Sequence, residues 1–397
     1  MADAPHEAWI TGIGIVSCLG EGPDAHWQKL NEGRPTADAT SFAPCLMHPL
    51  APINLDSQIP KKGDQRQMEA WQRIGTYAAG LALDSAGVKG KTDILSRMDM
   101  IVAAGGGERD LAVDSNIMAA NPQPDKAAAF LNERLMSDLR PTLFLAQLSN
   151  LLAGNISIVH GVTGSSRTFM GEESAGVDAV RIALSRIAAG QSDIALVGGA
   201  HNGERKDLLM LYGFGGYNWQ GKYKPVWERG DKGGFILGSL GAFMVIESRE
   251  HAEKRGAKPL ARLSAVMSDR SGGKPGNSAS TLRRMWDKLA PRLKPGHHGI
   301  ISGATGAEPA TSEERSFIKS LGGVAVRASG SYIGHGFEPQ FAMNVALAVV
   351  ALGHGKLFPP CDASGLEQPM NGELAQVVVT GVGHWHGEGL ALVERAG

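Results

Sequence analysis

The chain has only three cysteines in 397 residues, Cys18, Cys45 and Cys361. They are too few and too scattered for a disulfide framework or a cysteine zinc module, and they point to a reducing compartment. Aromatic residues make up 6% of the chain and charged residues 20%, which excludes charge-rich disordered and coiled-coil classes. Charge of one sign is also missing, because 39 basic side chains meet 40 acidic ones. A net charge near zero offers no field to attract nucleic acid or an anionic membrane. The N-terminal stretch MADAPHEAW lacks the basic-then-apolar layout of a secretion signal. Finally, the longest apolar segments, TLFLAQLSNLLAGNISIV and FAMNVALAVVALGHG, are broken by Gln, Asn and Gly. Neither is predicted to span a bilayer. The expectation is a soluble, cytoplasmic protein.

Glycine is what the chain has in quantity: 53 residues, alongside 43% hydrophobic residues. That combination is typical of a tightly turned α/β enzyme, and the length suggests two domains or one duplicated one. Residues 8–16, AWITGIGIV, read as a strand running into a glycine turn at Gly12 and Gly14, followed by a helix near 23–32. DMIVAAGGG (99–107) is a second strand, and residues 141–161 supply a long helix with an apolar extension. GAFMVIESREHAEKRG (241–256) reads as a strand and a charged helix. In the second half, ARLSAVMSD (261–269) stands where AWITGIGIV stood, and HGIISGATG (298–306) echoes DMIVAAGGG. This is a weak internal duplication joined near 247–260. Alternating strands and helices imply mostly parallel sheets with the chemistry at strand ends.

The most informative stretch is RTFMGEESAGVDAVRIALSRIAAGQSDIALVGGA, residues 167–200. Val177, Val180, Leu184 and Ile187 form a helical stripe, Gly190 closes that helix, and DIALVGGA reads as a buried strand. A strand-to-helix elbow at Gly171 carries Glu172 and Glu173. Enzymes mount nucleophiles on such elbows, because a helix N-terminus favours an anion. Carboxylates there also stabilise a helix by ~0.3–1 kcal/mol without any catalytic role.

Five segments then acquire a common meaning. ITGIGIVSCLGEG, LAGNISIVHG, AAGQSDIALVGGA, GGFILGSLGAFMVIESREHAEKRGAK and YIGHG occur in this order over nearly the full chain. Together they resemble the landmarks of the β-ketoacyl-acyl-carrier-protein synthases, KAS II-like condensing enzymes of the thiolase fold. The resemblance implies an α/β, five-layered αβαβα protein of two similar halves, here 1–250 and 251–397. It also implies a dimer acting on acyl chains carried by acyl carrier protein in fatty-acid or polyketide-type elongation.

The family's reaction uses an elbow cysteine that takes the acyl chain as a thioester. Two histidines stabilise the enolate left by decarboxylation of a malonyl unit, and a lysine tunes them. Carried over, the cysteine position falls on Glu173, the first histidine on Gly303 and the lysine on Gly330. The second histidine persists as His335, followed by Phe337, Glu338, Pro339 and Gln340 in place of small residues. Ser239 stands where an acidic turn residue is usual, and the C-terminal loop reads GVGHWHGEG, with His384 and His386. The resemblance therefore implies an acyltransferase-family chain lacking the cysteine, one histidine and the lysine. Its expected role is that of a chain-length-factor-like partner, either a homodimer or a heterodimer with a complete ketosynthase.

The enzymatic alternative is a malonyl-carrier-protein decarboxylase or a condensing enzyme of altered mechanism. It would use Glu173 and His335, with His384 or His386 replacing the lost histidine. Burial in an apolar cavity raises a carboxyl pKa and a helix N-terminus lowers it, so both charge states of Glu173 remain open. His335 reads equally as a functional group or a helix-capping relic. A site of Glu173, His335, His384 and His386 could hold a metal, or the cavity could bind an acyl chain; the reading adopted contains no metal and no cofactor. The glycines of GIGIVSCLG lack the third glycine of a dinucleotide fingerprint. The segment GERKDLL (203–209) offers basic residues either for docking an acidic carrier protein or as a solvated face.

Overall fold

A computed structural model describes residues 5–120, 126–138, 145, 147–271, 274, 276–385 and 387–396. The first half contributes strands β1 (Ala8–Ser17), β2 (Asp99–Ala103), β3 (Ser166–Phe169), β4 (Ile194–His201) and β5 (Leu240–Ser248). The second contributes β6 (Ala261–Asp269), β7 (His298–Ser302), β8 (Val326–Ala328), β9 (Gln376–Val382) and β10 (Glu388–Glu394). Their spatial order is β8-β7-β9-β10-β6-β1-β5-β4-β2-β3, with a two-residue strand, Gly20–Glu21, set against β1. Numbered within its own half, each set of five has the order 3-2-4-5-1. In each, strand 2 runs parallel to strands 3 and 4, and strand 5 is antiparallel to its neighbours. The two sets touch through a short ladder, Trp9 to Arg262 and Ile10 to Ala261.

Alternation along the strands sorts the side chains into layers, because successive residues point to opposite faces. Ile101, Val197, Met244 and Ile246 point one way, as do Ile301, Val377, Val379 and Val393 from the other half. They enclose helices α3 (Glu172–Ala188) and α7 (Gln340–Gly353), which supply Val177, Val180, Phe341 and Val345 to the same central core. Val102, Leu196, Phe243 and Val245 face outward onto helices α1 (Ala70–Ser85) and α2 (Leu151–His160). Helix α4 (Lys206–Phe214) follows β4, and Ile300, Val378, Leu390 and Leu392 face helices α5 (Asn277–Leu289) and α6 (Ala310–Lys319). The result is five layers, with α3 and α7 sandwiched between the sheets. α7 is buried along almost its whole length, as its continuous apolar sequence demands.

Three sequence expectations need correction. The sheet is mixed and not mostly parallel, because strand 5 of each half runs antiparallel to strands 4 and 1. Gly12 and Gly14 do not form a turn; β1 runs through them. A Cβ on Gly12 would lie 2.5 Å from the Ala82 carbonyl oxygen, and one on Gly14 2.1 Å from that of Ala78. These glycines let α1 press directly on the strand. In α3, Ala183 is buried completely, whereas Leu184 is only partly covered. The beginning of the helix expected over 141–161 lies outside the described residues, and its described part is α2, ended by Gly161 at φ +77°.

Candidate functional site

The elbow is formed as the sequence suggests. β3 ends at Phe169, Gly171 takes φ +130° and Glu172 φ +57°, and α3 begins. A left-handed glutamate costs on the order of 1 kcal/mol, so the turn is imposed by its surroundings. It aims the Glu173 side chain inward, where only 5% of the residue remains exposed.

Two imidazoles meet that carboxylate. His335 follows a short helical turn, Gly330–Ile333. Its main chain is pinned on both sides, its N–H donating to Ile236 at 2.8 Å and its carbonyl accepting from Gly238 at 2.9 Å. Nε2 of His335 lies 2.8 Å from Glu173 Oε1, but without hydrogen-bond alignment. His384 sits in the β9–β10 loop, which closes by a Gly383-to-Gly387 hydrogen bond of 2.8 Å. Its Nδ1 is 2.9 Å from the same Oε1, and its main-chain N–H donates to that oxygen at 3.4 Å. The other His384 nitrogen, Nε2, faces Glu172 Oε2 at 3.7 Å. Glu173 Oε2 is buried with no partner.

Electrostatics follow from this packing. Burial alone would raise the Glu173 pKa, but the two imidazoles outweigh it and hold the carboxyl well below the usual range. Burial opposes charging of His384, yet the Glu173 carboxylate raises its pKa overall. Glu338, buried just beyond, is pushed up to about 7 by desolvation and then by the neighbouring carboxylates of Glu173 and Glu172. A Cβ built on Gly105 would lie 3.1 Å from its Oε1. Aromatic rings wall the site. Phe337 packs 4.4 Å from His335, and Tyr217 and Phe235 stand 5.0 and 5.6 Å from His384 between ring centroids. His201, Tyr212, Phe337 and Glu338 also line a cleft of about 310 Å³ that continues toward Trp71 and Arg205.

A profile for the β-ketoacyl synthase N-terminal domain matches residues 7–252. The chain belongs to the β-ketoacyl synthase family. It is 27% identical over 267 residues to 3-oxoacyl-[acyl-carrier-protein] synthase 2 of Vibrio harveyi, covering 64% of this chain and 60% of that protein. It thus spans less than two thirds of that relative's length. A longer match, 23% identical over 388 residues, covers 92% of this chain and 90% of the tetracenomycin polyketide synthase ketoacyl synthase beta subunit of Streptomyces glaucescens. In structure it is similar to the ishigamide ketosynthase/chain length factor. The TM-score is 0.81 at 20% identity, over 99% of this chain and 100% of that one. The fold of this ketoacyl synthase family chain is therefore the thiolase-like fold expected from the sequence.

Of the candidate residues, Glu173, His335 and His384 come together, while His386 lies outside the described residues. The His335 ring turns toward Glu173. Gly303 has no room for an imidazole, because a Cβ there would approach the Thr380 carbonyl oxygen to 2.6 Å. At Gly330 a Cβ would meet the Ala304 oxygen at 3.0 Å and Val226 Cγ2 at 3.3 Å. Ser239 donates to Glu204 Oε2 at 2.9 Å and accepts from Gly203 N–H at 3.0 Å. Neither Cys18 nor Cys361 is set up as a replacement nucleophile. Cys18 donates to the Tyr332 carbonyl, and burial pushes both Cys18 and Cys361 up to about 12, far from the thiolate a nucleophile needs. In the 203–209 segment, Arg205 is tied to Asp207 and to the Gly107 carbonyl, so it is not presented outward. The sequence marks Glu338 only as a replacement for a small residue, with no role, and gives no sign of the wall of Tyr212, Tyr217 and Phe235. An acidic residue two places after Gly336 was the one available signal for Glu338.

Among the described residues, no helix is long and apolar enough to cross a membrane.

Proposed function

We propose that this chain is a ketosynthase-like subunit in which Glu173 replaces the acyl-accepting cysteine. It serves as the non-condensing partner of a complete ketosynthase during elongation of chains held on acyl carrier protein. The observation that carries this reading is the Glu173 carboxylate between His335 and His384, 2.8 and 2.9 Å from its Oε1. A carboxylate cannot form the stable thioester that condensation requires. With both imidazoles directed at Glu173, neither is left to donate to an enolate oxygen.

Partnership is supported by the edge of the sheet. Among the described residues β3 is a terminal strand, and Met118, Ile158, Met170, Met210, Leu211 and Phe214 are exposed large apolar residues. Such an edge and exposed apolar side chains together favour burial against another chain. The family relatives supply the class of partner. One is named for acyl carrier protein and another as the beta subunit of a polyketide synthase. A second reading, decarboxylation of a malonyl thioester, draws on the persistence of His335 and on His384 standing beside it at the elbow.

The test is co-expression with a complete ketosynthase, followed by size-exclusion chromatography and intact-mass analysis of acyl carrier protein. The expected result is a stable hetero-oligomer, with product formation or length altered only in the complex. A β-ketoacyl or decarboxylated product from this chain alone, abolished by Glu173→Ala or His335→Ala, overturns the non-condensing reading.

A further inference from the structure

Glu173, His335 and His384 come from three separate segments: the start of α3, the loop after Gly330–Ile333 and the β9–β10 loop. Each offers one ligand atom, and these atoms lie within 4.8 Å of one another in a buried position. We propose that these three residues form a binding site for one divalent transition-metal ion of the zinc class.

Three observations carry the inference beyond a cluster of polar groups. First, polar capacity is left over. Glu173 Oε2 is buried without a hydrogen-bond partner, and His335 Nε2, 2.8 Å from Glu173 Oε1, is not aligned for a hydrogen bond to it, although Glu173 and His335 are only 5% and 2% exposed. Buried polar atoms are rarely left unpaired, and a missing ion is one explanation where they are. Second, the far side of one imidazole is supported. His384 directs Nδ1 to the site, and its Nε2 faces the Glu172 carboxylate at 3.7 Å, beyond hydrogen-bond length but on the side from which a carboxylate orients a ligating ring. Third, the backbone is fixed on each ligand segment. His335 is held by main-chain bonds on both sides, and the His384 loop closes on itself.

The ligand chemistry selects the ion. Two imidazoles and a carboxylate suit zinc and its neighbours and disfavour calcium or magnesium, which prefer all-oxygen shells. Three protein ligands plus one further donor give the four-coordination usual for zinc. Zinc ligands at about 2.0–2.1 Å stand roughly 3.3 Å apart in a tetrahedron. The present contacts of 2.8 and 2.9 Å therefore need to open by about half an ångström. The fourth position is left for water or another oxygen donor. The ion would tie α3 to two loops of the second half whether or not the chain condenses acyl groups, so this inference does not depend on the partner reading.

The probe is Co2+ alone, added to the full-length protein after dialysis against a chelator. We expect a visible absorption band that saturates at one equivalent and disappears when Zn2+ is added. Zn2+ should also raise the unfolding temperature. His384→Ala should abolish the band, and Glu173→Gln, close to isosteric, should weaken binding at least about tenfold. Circular dichroism identifies any variant that fails to fold, and Glu173→Gln then decides alone. No band in the wild-type protein, or a band unchanged in Glu173→Gln, overturns the proposal. Neither readout uses acyl carrier protein or a partner chain, so failure here is distinct from failure of the subunit assignment.

Discussion

Glu173 gives the residue scale its problem. A buried carboxylate is tolerated only when partners repay its desolvation, and here His335 and His384 both approach one oxygen. Removing the acid leaves two buried rings facing an empty space. Glu173→Ala is therefore expected to destabilise the protein by about 2–4 kcal/mol, and Glu173→Gln, which keeps an acceptor, by about half as much. Urea denaturation followed by circular dichroism measures both. Equal stability of all three proteins would show that the clamp contributes nothing. Glu173 and His335 were legible in the sequence because each occupies a position with a known neighbourhood. Glu338 was not, because its meaning depends on Gly105 and Gly176, which admit it. Nothing near Glu338 in the chain encodes that space.

At the scale of elements, α3 is positioned by a missing side chain. Gly176 lies one turn into the helix, and a Cβ there would stand 2.2 Å from the Glu338 carbonyl oxygen. That contact is main chain, so it cannot be relieved by a rotamer change. Gly176→Ala should cost about 1–3 kcal/mol as the helix backs away, and the Glu173–His335 contact should lengthen with it. Thermal unfolding measures the cost, and a Tm unchanged from wild type would contradict the close packing. The same logic explains the misreading of Gly12 and Gly14. Glycine in a sequence signals either a turn or a close approach, and only the position of α1 decides which. The existence of the helix α3 and the apolar run of β4 needed no such information, since both signals are local.

For the whole molecule, acid stability depends on a buried junction. Glu247, at the end of β5, accepts hydrogen bonds from Arg255, His251 and Thr11, joining β5 to β1 and to the following helix, Arg249–Lys254. Burial pushes its pKa up, but these partners outweigh it and hold the carboxyl at about 2, against 4.5 for an unperturbed glutamate. Because the folded value is the lower one, the stabilisation is complete above about pH 4.5 and is lost as the pH falls toward 2. Glu247→Gln should therefore lower stability at pH 7 by about 2–3 kcal/mol, with the difference from wild type shrinking below pH 4.5. Denaturant midpoints at pH 7, 4 and 3 test this. A difference that stays constant with pH would assign the effect to packing rather than charge.

The sequence by itself determined the elements, the order of the family landmarks and the absence of a cysteine at the elbow. These rest on local periodicity and on residue identity, which the chain carries directly. Only the tertiary structure decided that His384, 211 residues from Glu173, completes the clamp, and that Gly303 is too crowded for the imidazole it lacks. Loops from two halves meet there because two sheets close over α3 and α7. The distance between their tips is set by the packing of that central layer, which no single segment specifies.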